Sequence, residues 1–97
     1  VSTNKIYAAI TYEGRLSSSQ RTVLTYLCHC WNHKTGRCDP AVKTIAKACT
    51  LAVHTVEDAL AALKRKNLIT AQNRFSTSNA YDILITYEKG KCRKIVT

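Results

Sequence analysis

Between Thr44 and Leu84 the chain reads as two helical segments around a sharp corner, then two short extended runs around a polar loop. The first helical segment is Thr44-Ile45-Ala46-Lys47-Ala48. The second runs from Val53 to Lys66 and carries Val53, Val56, Ala59, Leu60 and Leu63 on one stripe, the repeat of a helix buried on a single face. Cys49-Thr50-Leu51-Ala52 forms the corner, with Thr50 capping the approach and Leu51 buried within it. Lys64-Arg65-Lys66 complement the negative end of the second helix, and Asn67 suits a left-handed stop. Leu68-Ile69-Thr70 and Ala80-Tyr81-Asp82-Ile83-Leu84-Ile85 are strands, joined through Gln72 to Asn79. This order of elements limits the fold more than any single residue does.

Upstream, Ser17 or Ser18 is an N-cap, with Leu16 the hydrophobic residue before it. The helix that follows presents Val23, Leu24, Leu27, Cys28 and Trp31 on one face, flanked by Tyr26 and Cys30, and is expected to end near Asn32-His33. Lys34-Thr35-Gly36 reads as a turn, and Arg37-Cys38-Asp39 as a single rung pairing with the later strands. Asp39 is the expected cap of the next helix, with Pro40 in its first turn. The expected class is α+β, with three helices and a small antiparallel sheet. The expected organisation is an arm or strand over 1–15, a domain over 16–88, and a basic tail over 89–97 with a turn before a last strand at Ile95-Val96.

Ninety-seven residues make one domain with a small but adequate core, and 45% apolar content excludes a disordered chain. No apolar run has the length of a membrane span, and nothing resembles a signal peptide, so no membrane partner is expected. The chain begins at Val1 and lacks methionine, which leads us to expect a segment of a longer protein. A net charge of +9 favours a polyanionic partner, most often nucleic acid. Five cysteines, an odd number without a C-x-x-C pair, favour reduced thiols in a bacterial or host-cell cytoplasm. Cys28, Cys30, His33 and Cys38 invite a zinc reading, but Cys28 and Cys30 point to different sides of a helix and no second pair completes four ligands. No metal or cofactor is expected, and Cys28 and Cys49 read as small buried hydrophobes. The three histidines and six acidic residues make no acid/base pair, and no glycine-rich phosphate loop exists, so no enzyme is expected.

Two helices at a tight turn, backed by a hairpin, are a device for placing one helix in a DNA groove. On that reading His54, Thr55 and Asp58 occupy the exposed side of the second helix and reach base edges. Lys43 and Lys47 on the preceding helix, and Lys64 at the far end, face phosphates. Arg74 in the hairpin loop enters the minor groove or clamps a phosphate, helped by Ser76, Thr77 and Asn79. The seryl run Ser17-Ser18-Ser19 with Arg21 is a further phosphate cradle or a plain helix cap.

The residues Leu16-Ser17-Ser18-Ser19, Gly36-Arg37-Cys38-Asp39-Pro40, Thr44-Ile45-Ala46, Thr55-Val56, Ala59 to Leu63, Asn67-Leu68-Ile69 and Ser78-Asn79-Ala80-Tyr81 together resemble the winged helix-turn-helix domains of phage and plasmid replication proteins and related bacterial regulators. The resemblance covers residues 16 to 85. It implies site-specific binding of double-stranded DNA, with origin recognition by a replication initiator as the first expectation and transcriptional regulation as the second. One departure stands out: Ala52, Val53 and His54 occupy positions where such domains commonly carry serine followed by arginine or lysine. Glu57 and Asp58 on the same helix, with the apolar run Ile6 to Tyr12, also suit a protein-interaction module. A homodimer through the N-terminal arm or first helix fits the same apolar run.

Overall fold

The computed structural model describes residues 3–31, 40–74 and 78–95; side chains of Thr3 and of residues 71–80 lie outside that description. Four helices and four strands occur among the described residues: α1 Thr3–Thr11, α2 Ser18–Cys30, α3 Val42–Cys49, α4 Val53–Arg65, β1 Ile69–Arg74, β2 Ser78–Ile83, β3 Ile85–Glu88 and β4 Lys91–Lys94. The strands form two separate antiparallel hairpins, β1–β2 and β3–β4. The class is α+β winged helix-turn-helix, with one more helix and one more hairpin than the sequence reading supplied.

The N-terminal segment is a helix, not an arm or strand. Ala8 and Ala9 are fully buried and Lys5 nearly so, while Tyr12 is partly covered. These positions share one helical face. Tyr7 and Ile10 point outward, about half exposed. An inward lysine and outward apolar residues erase the amphipathic signature, so the segment does not read as a helix.

Ser17 caps α2 with both halves of a capping box. The Gln20 amide donates to Ser17 Oγ, and the Ser17 amide donates to Gln20 Oε1, each at 3.2 Å. Val23, Leu24, Leu27 and Cys28 of this helix are fully buried. Helix α2 ends at Cys30 with Trp31 as its cap. The expected extension to Asn32-His33, the Lys34–Gly36 turn and the Arg37–Asp39 rung lie outside the described residues.

Helices α3 and α4 end in the same way. Thr50 and Asn67 take left-handed φ values of 57° and 60°. The following amides reach back five residues, Leu51 to the Ala46 carbonyl at 2.9 Å and Leu68 to the Leu63 carbonyl at 3.1 Å. The left-handed residues themselves donate to Lys47 and Lys64, at 3.4 and 3.0 Å. This is the Schellman arrangement, in which a hydrophobic residue just past the stop packs inward. Leu51 is partly buried and Leu68 fully so. Thr50 therefore terminates α3 and does not cap α4, whose N-cap is Ala52. Helix α3 likewise begins after Ala41, with Pro40 ahead of the helix and not in its first turn. Val53, expected on the inward stripe of α4, is 42% exposed because it begins the helix beyond the reach of the core.

The register of the first hairpin runs from Ile69 opposite Ile83 to Arg74 opposite Ser78. The chain then changes partners at Leu84. The Leu84 amide donates to the Leu68 carbonyl at 2.9 Å, and its own carbonyl accepts from the Ile95 amide at 2.7 Å. The single strand expected over 80–85 is thus two, because residues before Leu84 pair with β1 and residues after it with β4. The expected tail is the return strand of the second hairpin. Lys89 and Gly90 make a two-residue turn with φ of 53° and 76°, the pattern of a type I′ hairpin.

Helix α1 packs on α2 and on both strands of the second hairpin. The Tyr7 and Tyr87 rings sit 5.5 Å apart at 57°. One core joins α1, α2, α3, α4 and both hairpins, with Leu24, Leu27, Ile45, Leu63, Leu68, Ile69, Tyr81, Ile83 and Ile85 among its fully buried members. Burying each such leucine or isoleucine contributes about 1.5–3 kcal/mol.

Candidate nucleic-acid interface

Helix α4 buries Val56, Ala59, Leu60, Ala62 and Leu63 against the core. The opposite side is an exposed stripe of His54, Glu57, Asp58, Ala61, Lys64 and Arg65. Thr55 lies at the edge, half-buried. Charge changes along this stripe, from histidine and two carboxylates in the first turns to cations in the last. The basic end complements the carbonyl end of the helix dipole.

Lys43 and Lys47 are exposed and one turn apart on α3, so their ammonium groups share one side of that helix. Ala41 and Ala52 begin α3 and α4 without a side-chain hydrogen bond among the described residues. At α4 the first amides have no side-chain acceptor from the cap residue and can donate to solvent or an anion.

A polar notch of about 270 Å³ separates the start of α2 from α4. Ser17, Ser19 and Gln20 line one side; His54, Thr55, Asp58 and Ala59 line the other. The sequence singles out Ser17, Ser19, His54, Thr55 and Asp58 separately; packing of α2 on α4 brings them together with Gln20. Arg21, named with the seryl run, serves another end. Its guanidinium donates to the carbonyls of Ala9, Ile10 and Tyr12 at 2.9, 3.0 and 3.1 Å. It closes the C-terminus of α1, whose last turn carries no cation of its own.

In the first hairpin, Arg74 and Asn79 occupy the final rungs next to the loop, opposite Ser78 and Asn73. Their side chains, and Ser76 and Thr77 altogether, lie outside the described residues. Lys64 is exposed in the last turn of α4. No group of three or more histidine, cysteine or acidic side chains is placed to hold a metal among the described residues. His33 and Cys38 of the zinc reading lie outside them. No described helix is long and apolar enough to cross a membrane.

A family model described as helix-turn-helix domain matches residues 14–69, more than half of the chain. The chain belongs to the helix-turn-helix domain family. The matched span of this helix-turn-helix domain takes in α2, the α3–turn–α4 unit and the first residue of β1. Helix α1 and the second hairpin lie outside it. Membership points to DNA binding. No curated protein and no solved structure matches the chain significantly.

Two residues that sequence reasoning passed over carry structural weight. Lys5, inside α1, is buried and sends its ammonium to the Ile83 and Ile85 carbonyls; the only signal for it was an isolated lysine in an apolar run. Lys94, assigned to a tail, donates to the Lys66 carbonyl at 3.0 Å and ties the second hairpin to the end of α4.

Proposed function

We propose that this helix-turn-helix domain binds double-stranded DNA at specific sites without catalysing a reaction, and that it serves origin recognition in a phage- or plasmid-type replication initiator. A role in transcriptional regulation uses the same contacts. The observation that carries the reading is the α3–turn–α4 unit, with an exposed polar stripe on α4 and the exposed cations Lys43 and Lys47 on α3. The stripe is one helix wide, which suits a major groove about 12 Å across. His54, Thr55 and Asp58 lie in the N-terminal turns, where such helices meet base edges. Asp58 suits a cytosine amino group, and His54 a purine acceptor. Lys43 and Lys47 then neutralise phosphates at the groove edge, and the first hairpin follows the adjoining backbone.

Selection of bound duplexes from a random pool, followed by salt titration on the selected site, tests this. The reading expects an enriched motif and a steep fall of log K with log salt. In Lys43→Gln/Lys47→Gln the slope should decrease by about 0.9 per lost contact with the motif unchanged. His54→Ala and Asp58→Asn should instead relax single positions of the motif, costing about 1–3 kcal/mol each. Absence of binding at low salt would refute the proposal and favour a protein-contact module, a reading supported by the outward Tyr7 and Ile10.

A further inference from the structure

We propose that the β3–β4 hairpin is a second, rigid DNA clamp, which grips backbone phosphates flanking the segment met by α4. The inference rests on the DNA-binding reading above and extends it to a surface outside the matched family span. Four cations, Lys89, Lys91, Arg93 and Lys94, stand on this hairpin against one carboxylate, Glu88. That carboxylate is already engaged by Arg93 at 3.6 Å in a solvent-exposed pair. The type I′ turn sets Lys89 and Lys91 at the tip, both exposed.

The hairpin is held from two sides. Lys94 donates to the Lys66 carbonyl and ties β4 to the residue that follows α4, whose last turn carries the exposed cations Lys64 and Arg65. Helix α1 supports the other side through the Tyr7–Tyr87 contact and the Lys5 hydrogen bond to the Ile85 carbonyl. Cations on a fixed scaffold lose little backbone freedom on binding, in contrast to those on a loose tail.

Distance along α4 decides what these cations meet. At about 1.5 Å per residue, Lys64 lies roughly 15 Å from His54. That exceeds the roughly 12 Å width of the major groove. With the N-terminal turns of α4 at the bases and the helix running outward across the groove, the proposed clamp sets the end of α4, and the hairpin tied to it through Lys94, at phosphates of the flanking duplex. Lysines there add affinity and salt dependence without sequence preference.

The test compares two duplexes, one limited to the selected motif and one extended by about ten base pairs, or one helical turn, on each side. Wild type should bind the extended duplex more tightly, with a salt slope larger by about 1.8 for two added phosphate contacts. Lys89→Gln/Lys91→Gln should lose that gain and match wild type on the short duplex. Lys89→Arg/Lys91→Arg should restore it. Circular dichroism on each variant reports retention of the fold, which exposed tip residues should leave intact. A glutamine variant that keeps the full gain on the extended duplex overturns the clamp while leaving the α4 reading standing. Failure of wild type to bind either duplex overturns both.

Discussion

The Lys5 ammonium donates a 2.7 Å hydrogen bond to the Ile85 carbonyl, 80 residues away, at the point where the chain passes from one hairpin to the next. The Ile83 carbonyl lies 3.5 Å from the same nitrogen, and the Trp31 ring centroid 4.9 Å away. One side chain thus ties the first helix to the two residues on either side of Leu84. Burial lowers the Lys5 pKa below the ordinary lysine value, against weaker opposing pulls from Cys28 and Asp82.

The sign of the linked stability follows. Between the lowered folded-state pKa and the ordinary value of 10.5, the unfolded chain holds more protons than the folded one. Stability contributed by Lys5 therefore rises with pH through that window, and its charging penalty is fully present below it. Lys5→Met removes the titration. In urea melts across a pH series, wild type should gain on Lys5→Met as pH approaches the ordinary lysine value. Parallel curves would contradict this assignment.

Arg21 gathers three carbonyls from the end of α1. Hydrogen bonds to a charged group contribute about 1.5–3 kcal/mol, and unpaired carbonyls at a covered helix end add to the loss. Arg21→Ala should destabilise by roughly that amount, with faster amide exchange concentrated in residues 3–11. Arg21→Lys should recover only part, because an ammonium lacks the planar fork that spans several carbonyls. Uniform exchange changes across the whole chain would count against a local clamp.

Thr50 is β-branched, exposed and left-handed at φ 57°. That conformation costs an L-residue about 1–2 kcal/mol, and glycine adopts it freely. Thr50→Gly should stabilise the domain by up to about 1 kcal/mol after glycine's greater unfolded-state entropy is deducted. For a chain of this size that corresponds to a Tm increase of about 4–8 °C. A lower Tm would show that the Thr50 side chain supports the turn in a way its exposure does not suggest.

Helices α2 and α4 were legible because their buried residues recur on one face: Val23, Leu24, Leu27 and Cys28 in one, Val56, Ala59, Leu60 and Leu63 in the other. The Ser17 cap and the Asn67 stop were legible for a related reason, since each acts through backbone groups within a few residues. Helix α1 was not. Its inward face includes Lys5, whose burial depends on carbonyls some 80 residues downstream. Strand β4 was hidden by its own charge. Lys91, Arg93 and Lys94 remain exposed and Cys92 is only partly covered, so no alternation marks a strand. The candidate site shows the same division. His54, Asp58, Lys43 and Lys47 could be named from helical spacing, but the notch joining His54 and Asp58 to Ser17, Ser19 and Gln20 required α2 to pack on α4. Arg21 had looked available for a phosphate until α1 supplied closer carbonyls.

The amino-acid sequence by itself determined the helix-turn-helix: its periodicity, its stops and its basic charge are local properties, set by backbone sterics and by which face must leave water. Tertiary structure alone decided that the N-terminal segment is helical and that the basic tail is a hairpin pinned to α4. It also turned Arg21 inward onto α1. Those outcomes depend on polar groups finding partners on other elements, and a buried lysine or a clustered arginine becomes tolerable only after the partner carbonyls have been brought beside it.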